Sequence, residues 1–233
     1  MQKKAKIIIV ILCLIIVLVV GALVYLHFNE EVVDTPNYND SPHIPLNYGP
    51  DEKKPIIYIY PEEEMDLTIK LGIPNNISYS YPEYNNGWEV KAYPGGKLID
   101  KKTNRELYAL YWEGKVDKEV KINEGFVVRD EDTTKFLEEK LSILGLNDRE
   151  IEEFIIYWMP ILKENKYNLI RFATPEEINE YMPLEVSIKP DTMIRVLMEY
   201  KPLDERVEVE EQVLKQTTRS GYTIVEWGGM KAK

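Results

Sequence analysis

The sequence is almost without cysteine and histidine: one Cys and two His in 233 residues. Their positions sharpen the shortage. Cys13 lies inside an apolar run, and His27 and His43 precede every segment with the periodicity of a fold. Residues 55–233 therefore hold neither type. A Ser-His-Asp triad and a Cys-His nucleophile are impossible within them. Zinc sites built on His or Cys and haem held by either are excluded there too. A histidine on a flexible segment is a poor catalyst, because positioning supplies much of the rate. One Cys forbids an intrachain disulfide framework. Phosphate-cradling glycine loops are also missing: Gly95-Gly96 and Gly228-Gly229 read as turns.

What is present in excess is acid. The chain has 29 Lys+Arg against 40 Asp+Glu, a net charge of −11. The first 26 residues hold three lysines and no acid, which leaves 26 basic and 40 acidic residues after them, a net of −14. So acidic a surface repels phosphates, and no nucleic acid is expected as a partner.

Ile7 to Leu26 is a run of 20 uncharged residues, IIIVILCLIIVLVVGALVYL. As a helix at about 1.5 Å per residue it spans roughly 30 Å, the thickness of a bilayer core. Its β-branched residues are poor helix formers in water, but in lipid the helix satisfies every backbone group internally. Lys3, Lys4 and Lys6 precede it and Glu30 and Glu31 follow it. The positive-inside rule places residues 1–6 in the cytoplasm as a stub and the rest of the chain outside. Val20-Gly21-Ala22 also fits a signal-peptide cleavage site, but the apolar run continues past it and is longer than the usual 7–15 residues. The expected partner of residues 7–26 is membrane lipid, at the cell membrane, in single-pass form. Residues 27–54 carry four prolines, many Asn and Asp, and no apolar period, and read as a flexible tether.

Residues 55–233 read as one α+β ectodomain. Ile56 to Tyr60 is a β-branched and aromatic run between Pro55 and Pro61, a strand signal. Leu67, Ile69 and Leu71 alternate with polar residues. Tyr79–Tyr84 and Trp88–Tyr93 flank Asn85-Asn86-Gly87, which suggests a tight hairpin. With Leu107–Glu113 these runs predict an antiparallel β-meander or a small sandwich over 55–113. A helical pair follows. Phe136, Leu137, Leu141 and Leu144 form an apolar stripe, Asp132 suits its cap, and Gly145 suits its end. Asn147 and Glu150 then form a capping box for a second helix that Pro160 kinks or ends. Tyr167–Phe172 reads as a strand, and Thr174-Pro175-Glu176-Glu177 as a helix start. Further strands are expected at Met193–Glu199 and at Tyr222–Trp227, the last ended by Gly228-Gly229. Residues 203–218 stay open between strand and helix.

Carboxylate chemistry survives the exclusions. Glu113, before Gly114, and Glu226, in Val225-Glu226-Trp227, are the candidates for a glycosidase-type pair acting on glycan. Against that reading, Glu226 and Trp227 fall on opposite faces of a strand, one wet and one packed. Asp191 and Arg195 suit a salt bridge. Asp130-Glu131-Asp132-Thr133-Thr134 matches the DxDxT core of haloacid-dehalogenase-like phosphotransferases, but Arg129 and Lys135 depart from it and no doubly wound pattern surrounds it. Helix starts favour these residues anyway. The binding candidates are Tyr79, Tyr81, Tyr84 and Trp88, clustered around one expected hairpin. Flat rings on a sheet bind sugars or peptides at little entropy cost. Tyrosine is also simply a good strand former. No cofactor and no metal site is indicated.

The segments KPIIYIYP (54–61), NGWEVKAYPGGKL (86–98), LYALYWEG (107–114), YWMPILKENKYNLIRF (157–172), PDTMIRVLMEYKPLD (190–204) and RSGYTIVEWGG (219–229) together resemble a family of uncharacterised, membrane-anchored bacterial proteins. The resemblance implies that 54–229 is one evolutionary unit. It carries no catalytic residues. The expected function is that of an extracytoplasmic binding or scaffolding module for a cell-surface glycan or protein, with a carboxylate-dependent glycan-active enzyme as the alternative.

Overall fold

The computed structural model describes residues 18–21, 55–116 and 120–232. The stub at 1–6, most of the span at 7–26 and the tether at 27–54 lie outside them; residues 18–21 are helical. Among the described residues no helix is long and apolar enough to cross a membrane. The chain divides into two units, Met1–Asn47 and Tyr48–Lys233, and every described strand belongs to the second.

Twelve strands appear among the described residues of this unit: β1 (Ile56–Tyr60), β2 (Met65–Leu71), β3 (Ile77–Tyr81), β4 (Trp88–Ala92), β5 (Leu98–Asp100), β6 (Glu106–Leu107), β7 (Leu110–Gly114), β8 (Phe126–Arg129), β9 (Tyr167–Ala173), β10 (Leu184–Val186), β11 (Thr192–Leu203) and β12 (Thr223–Lys231). The helices are α1 (Thr133–Ile143), α2 (Asp148–Leu162) and the short α3 (Pro175–Tyr181). A seven-stranded sheet has the order β3-β7-β1-β12-β11-β9-β8, and a five-stranded sheet the order β10-β2-β4-β5-β6. The domain is thus α+β.

The large sheet lies between two apolar cores. Strand alternation sends Ile57 and Ile59 of β1 to one side and Tyr58 to the other. Ile57, Ile59, Leu110, Trp112 and Ile224 pack with Leu67, Ile69, Trp88 and Val90 of the small sheet. On the opposite face Tyr58, Ile170, Val196, Val225 and Trp227 pack with Leu137, Leu141, Phe154 and Trp158 of the helical pair. Covering both faces leaves β11 and β12, which run parallel to each other, buried almost throughout.

Local signals hold where the chemistry is local. Asn147 and Glu150 form the expected capping box, as do Thr174 and Glu177. Gly145 takes φ +95° after α1. Pro160 does not end α2, which runs on to Leu162. The expected meander is not one sheet. β1, β3 and β7 join the large sheet while β2, β4, β5 and β6 build the small one, so the runs between 55 and 114 supply both halves of a packed pair. The hairpin at Asn85-Asn86-Gly87 is likewise absent. Asn86 and Gly87 do take positive φ, but β3 pairs with β7 and β4 with β2. Pro82 has no N–H to offer a ladder, and the chain leaves one sheet for the other there. Nor do Gly228-Gly229 end the last strand, which continues to Lys231. A Cβ on Gly229 would meet the Trp158 ring at 2.5 Å. Gly229 makes room for an indole, not for a turn.

Of the open stretch 203–218, Leu203 ends β11 and the rest is neither helix nor strand, apart from one bridge between Glu210 and Glu124. Residues 204–222 form an extended strap linking the parallel pair β11 and β12, where a helix is usual. Its anchor is Gln212. β8 begins at Phe126, opposite Ile170, so it does not reach Phe172. The Gln212 amide takes the vacant place, accepting from the Phe172 N–H at 2.9 Å and donating to the Phe172 carbonyl at 2.8 Å. One side chain thus substitutes for a neighbouring strand. Gln212→Leu leaves both backbone groups buried and unsatisfied, and the expected loss is roughly 2–5 kcal/mol. Chemical denaturation checks this; a loss within about 0.5 kcal/mol would mean water replaces the amide at no cost.

Candidate functional site

The four aromatic candidates divide into two pairs. Tyr84 and Trp88 are spent on structure. Their rings meet edge to face at 4.8 Å. The Leu71 N–H donates to the Tyr84 hydroxyl at 2.9 Å, and the Trp88 indole donates to the Pro82 carbonyl at 2.8 Å. Trp88 is buried against the small sheet. Tyr79 and Tyr81 are different. They share one face of β3, stand opposite Glu113 and Tyr111 of β7, and are 64% and 51% exposed. β3 is an end strand of the large sheet, so both rings stand where the sheet stops.

Glu113 and Glu226 are not brought together. The Trp112 indole donates to Glu226 Oε1 at 3.3 Å, so Glu226 lies on Trp112's face of the sheet. Glu113 follows Trp112 in the same strand and points to the other face. A retaining or inverting pair needs both carboxyls in one cleft, about 5–10 Å apart. Here a covered sheet separates them. Glu226 is also not the wet residue that alternation suggests. It is 3% exposed, and Arg195 Nε and Nη2 lie 2.7 and 2.5 Å from its Oε2. Arg195 Nη1 donates to Asn179 Oδ1 on α3 at 2.7 Å. Arg195 does not pair with Asp191, whose carboxylate accepts the Tyr222 N–H at 2.8 Å.

A second ionic group lies under the same helix. Arg171 donates to Glu199 at 2.7 Å and to both oxygens of Glu177 at 2.6 Å, and the Tyr181 hydroxyl donates to Glu199 at 3.3 Å. Burial pushes the Glu177 carboxyl up, but Arg171 and the Thr174 cap outweigh it and hold its pKa below the ordinary value. Burial, then the Glu199 and Glu177 charges, pushes the Tyr181 hydroxyl well above the phenol range. Asn179, Glu177 and Tyr181 all belong to α3, so the two groups dock this seven-residue helix on the large sheet. Their carboxylates are engaged by arginine and are structural in chemistry.

In the DxDxT-like run, Glu131, Asp132 and Thr133 make local contacts. Arg129 Nε donates to Asp132 at 2.8 Å and its guanidinium also meets Glu131. The Thr133 hydroxyl donates to the Arg129 carbonyl at 3.1 Å. These residues form a turn of 3-10 helix and the start of α1. Among the described residues no cluster of three or more His, Cys, Asp or Glu could hold a metal.

One feature escaped the sequence. A groove of about 810 Å³ runs between β8, α1 and the strap at 206–211. Its signal was the stretch after β11 that stays open between strand and helix while Val207 and Val209 alternate with charge. No family model matches the chain, and no curated protein or solved structure matches it.

Proposed function

We propose that the chain is a single-pass, membrane-anchored protein that holds an acidic α+β domain outside the cytoplasmic membrane as a binding or scaffolding module. Its contact surface in this reading is the Tyr79–Tyr81 face of β3, and its partner is a cell-surface glycan or protein. The observation that carries the reading is the exposure of two tyrosines side by side at a sheet end. Three of the four tryptophans (Trp88, Trp112 and Trp227) are fully buried instead. A ring pair costs little entropy to fix and offers flat apolar area with hydroxyl tips. Anchoring rests on the uncharged run behind three lysines. The family resemblance fits this picture without adding chemistry to it.

The test uses the full chain in detergent and its Tyr79→Ser/Tyr81→Ser variant. Melting temperature is followed across a panel of envelope glycans and purified surface proteins. Upward shifts for the parent that disappear in the variant are expected. Identical shifts in both proteins would remove the tyrosine face from the reading. On intact cells, added protease should cut the chain beyond residue 27; full protection would overturn the outward orientation.

A further inference from the structure

The groove beside β8 adjoins an open strand edge. β8 ends the order of the large sheet, and no strand lies beyond it among the described residues. Backbone groups along an antiparallel strand alternate between its two sides. The Asp130 N–H donates to Lys166 at 3.4 Å, on the β9 side, and the Gly125 N–H donates outward to the Glu210 carbonyl at 2.8 Å. Even-numbered residues of β8 therefore face β9 and odd-numbered ones face out. Val127 comes next after Gly125, and its outward N–H and carbonyl have no partner among the described residues.

The strap does not close this edge. Among the described residues it pairs only with the chain entering β8, where Glu124 and Glu210 form one parallel bridge and the Gly125 N–H donates to Glu210, and Gln212 then fixes it beside β9. Between Arg206 and Val209 it stands off and walls the groove, with Phe136 and Lys135 of α1 on the other side. A neighbouring strand needs a place about 4.8 Å from β8. The groove lies against β8, lined by Gly125, Phe126, Val127 and Val128, with the strap on its far wall.

The charges narrow the occupant. Lys140 pairs with Glu139, and Asp132 with Arg129. Lys135, Arg206, Glu208 and Glu211 also line the groove, and none of them makes an ion pair with another described residue. All four are exposed, and the Lys135 charge also acts on Glu139, so two cations and two carboxylates rim the groove in balance. We propose that this groove takes an extended peptide of balanced charge, added as an eighth strand on β8 through the Val127 N–H and carbonyl. Strand addition draws affinity from the backbone and selectivity from alternate side chains. The site is at the opposite end of the sheet from Tyr79 and Tyr81 and stands without them.

The test is fluorescence anisotropy on the full chain in detergent. The probe is a labelled heptapeptide alternating Glu and Lys, so that each charge lines one face. Two further probes carry N-methyl groups on its odd or even backbone nitrogens. Binding of the parent peptide is expected, with loss in at least one N-methylated form. Val127→Pro removes one donor at an edge position where proline is tolerated, and about tenfold weaker binding is expected. Lys135→Glu, on the exposed face of α1, should weaken binding without touching the strand. Equal binding of all three probes, or an unchanged affinity in Val127→Pro, overturns strand addition. Failure of the peptide to bind does so as well, and so does self-association of the chain through β8 in its place. Tyr79→Ser/Tyr81→Ser should bind the peptide as the parent does, so this result and the tyrosine result are read separately.

Discussion

Glu226→Ala is expected to cost about 3–5 kcal/mol, a third or more of the stability of an ordinary domain. The side chains of Arg195 and Glu226 are 2% and 4% exposed. They sit on the two neighbouring parallel strands at the centre of the large sheet, directly in register. Removing the carboxylate strands a guanidinium where water does not reach and takes the acceptor from the Trp112 indole. Asn179 offers Arg195 a carbonyl oxygen but no charge. The double variant Arg195→Met/Glu226→Leu should recover most of the loss, because a buried pair is worth little against well-packed apolar residues of similar size. Denaturant unfolding of the three proteins decides. A single variant within about 1 kcal/mol of the parent would show that the charge is not buried as described. The result also bears on catalysis. A Glu226→Gln protein without activity reports first on its fold, so any assay of that variant needs a stability measurement beside it.

Glu226 illustrates why the sequence was legible only in part. Reading it as solvent-facing assumed that a strand with alternating character has one wet face. β12 has none, because the small sheet covers one side and the helical pair the other. Nothing within ten residues of Glu226 announces that. The two capping boxes and the left-handed Gly145 were legible because each is decided within four residues, whereas Asp132, which suits a cap, makes no side-chain cap bond to α1. The strand runs were legible for the same reason, but their partners were not. Asn86 and Gly87 adopt the backbone that a hairpin asks for, yet Pro82 and the two sheets decide where the chain goes. Alternation puts Tyr79 and Tyr81 on one face of a strand, whereas only proximity in sequence groups Tyr84 and Trp88 with them. What separates the pairs is the crossing between sheets. Gln212 gave no signal, since its task depends on β8 being two residues too short.

The large sheet concentrates its polar burial at the centre and its exposure at the ends. Arg195–Glu226 and Arg171–Glu199 lie on β12, β11 and β9, where pairing with arginine makes burial tolerable. The two end strands are handled differently. Edge strands need some device against indiscriminate pairing. β3 is short, irregular in register near Ile77 and faced with tyrosine. β8 is short and fenced by the strap. In the proposed strand addition, such a fence blocks broad sheet-to-sheet contact while leaving room for a single extended chain. The two proposed contact regions thus lie at the two ends of one sheet, where the same edge problem arises twice.

Glu150→Ala is the second substitution with a large expected effect, again about 3–5 kcal/mol. Glu150 is fully buried. One carboxylate serves several donors at once. It caps α2 by accepting the Asn147 N–H at 2.9 Å, accepts the Tyr60 hydroxyl at 2.7 Å, and pairs with the Arg219 guanidinium. Arg219 in turn donates to the Gly145 carbonyl at 2.8 Å, so the group ties β1, the α1–α2 turn and the end of the strap together. The cap alone is worth only about 1 kcal/mol; the larger part comes from ending the charge balance around Arg219 and leaving Tyr60 without an acceptor. Glu150→Gln separates the two contributions. It keeps an oxygen for the cap and removes the charge, so its loss should fall between the parent and the alanine variant. Arg219→Leu should be nearly as costly as Glu150→Ala, since it leaves the carboxylate buried without a cation. The double variant should lose clearly less than the sum of the singles, the mark of coupled groups. Additive losses would mean that the ion pair contributes nothing, and that Glu150 acts through its cap and the Tyr60 hydroxyl alone.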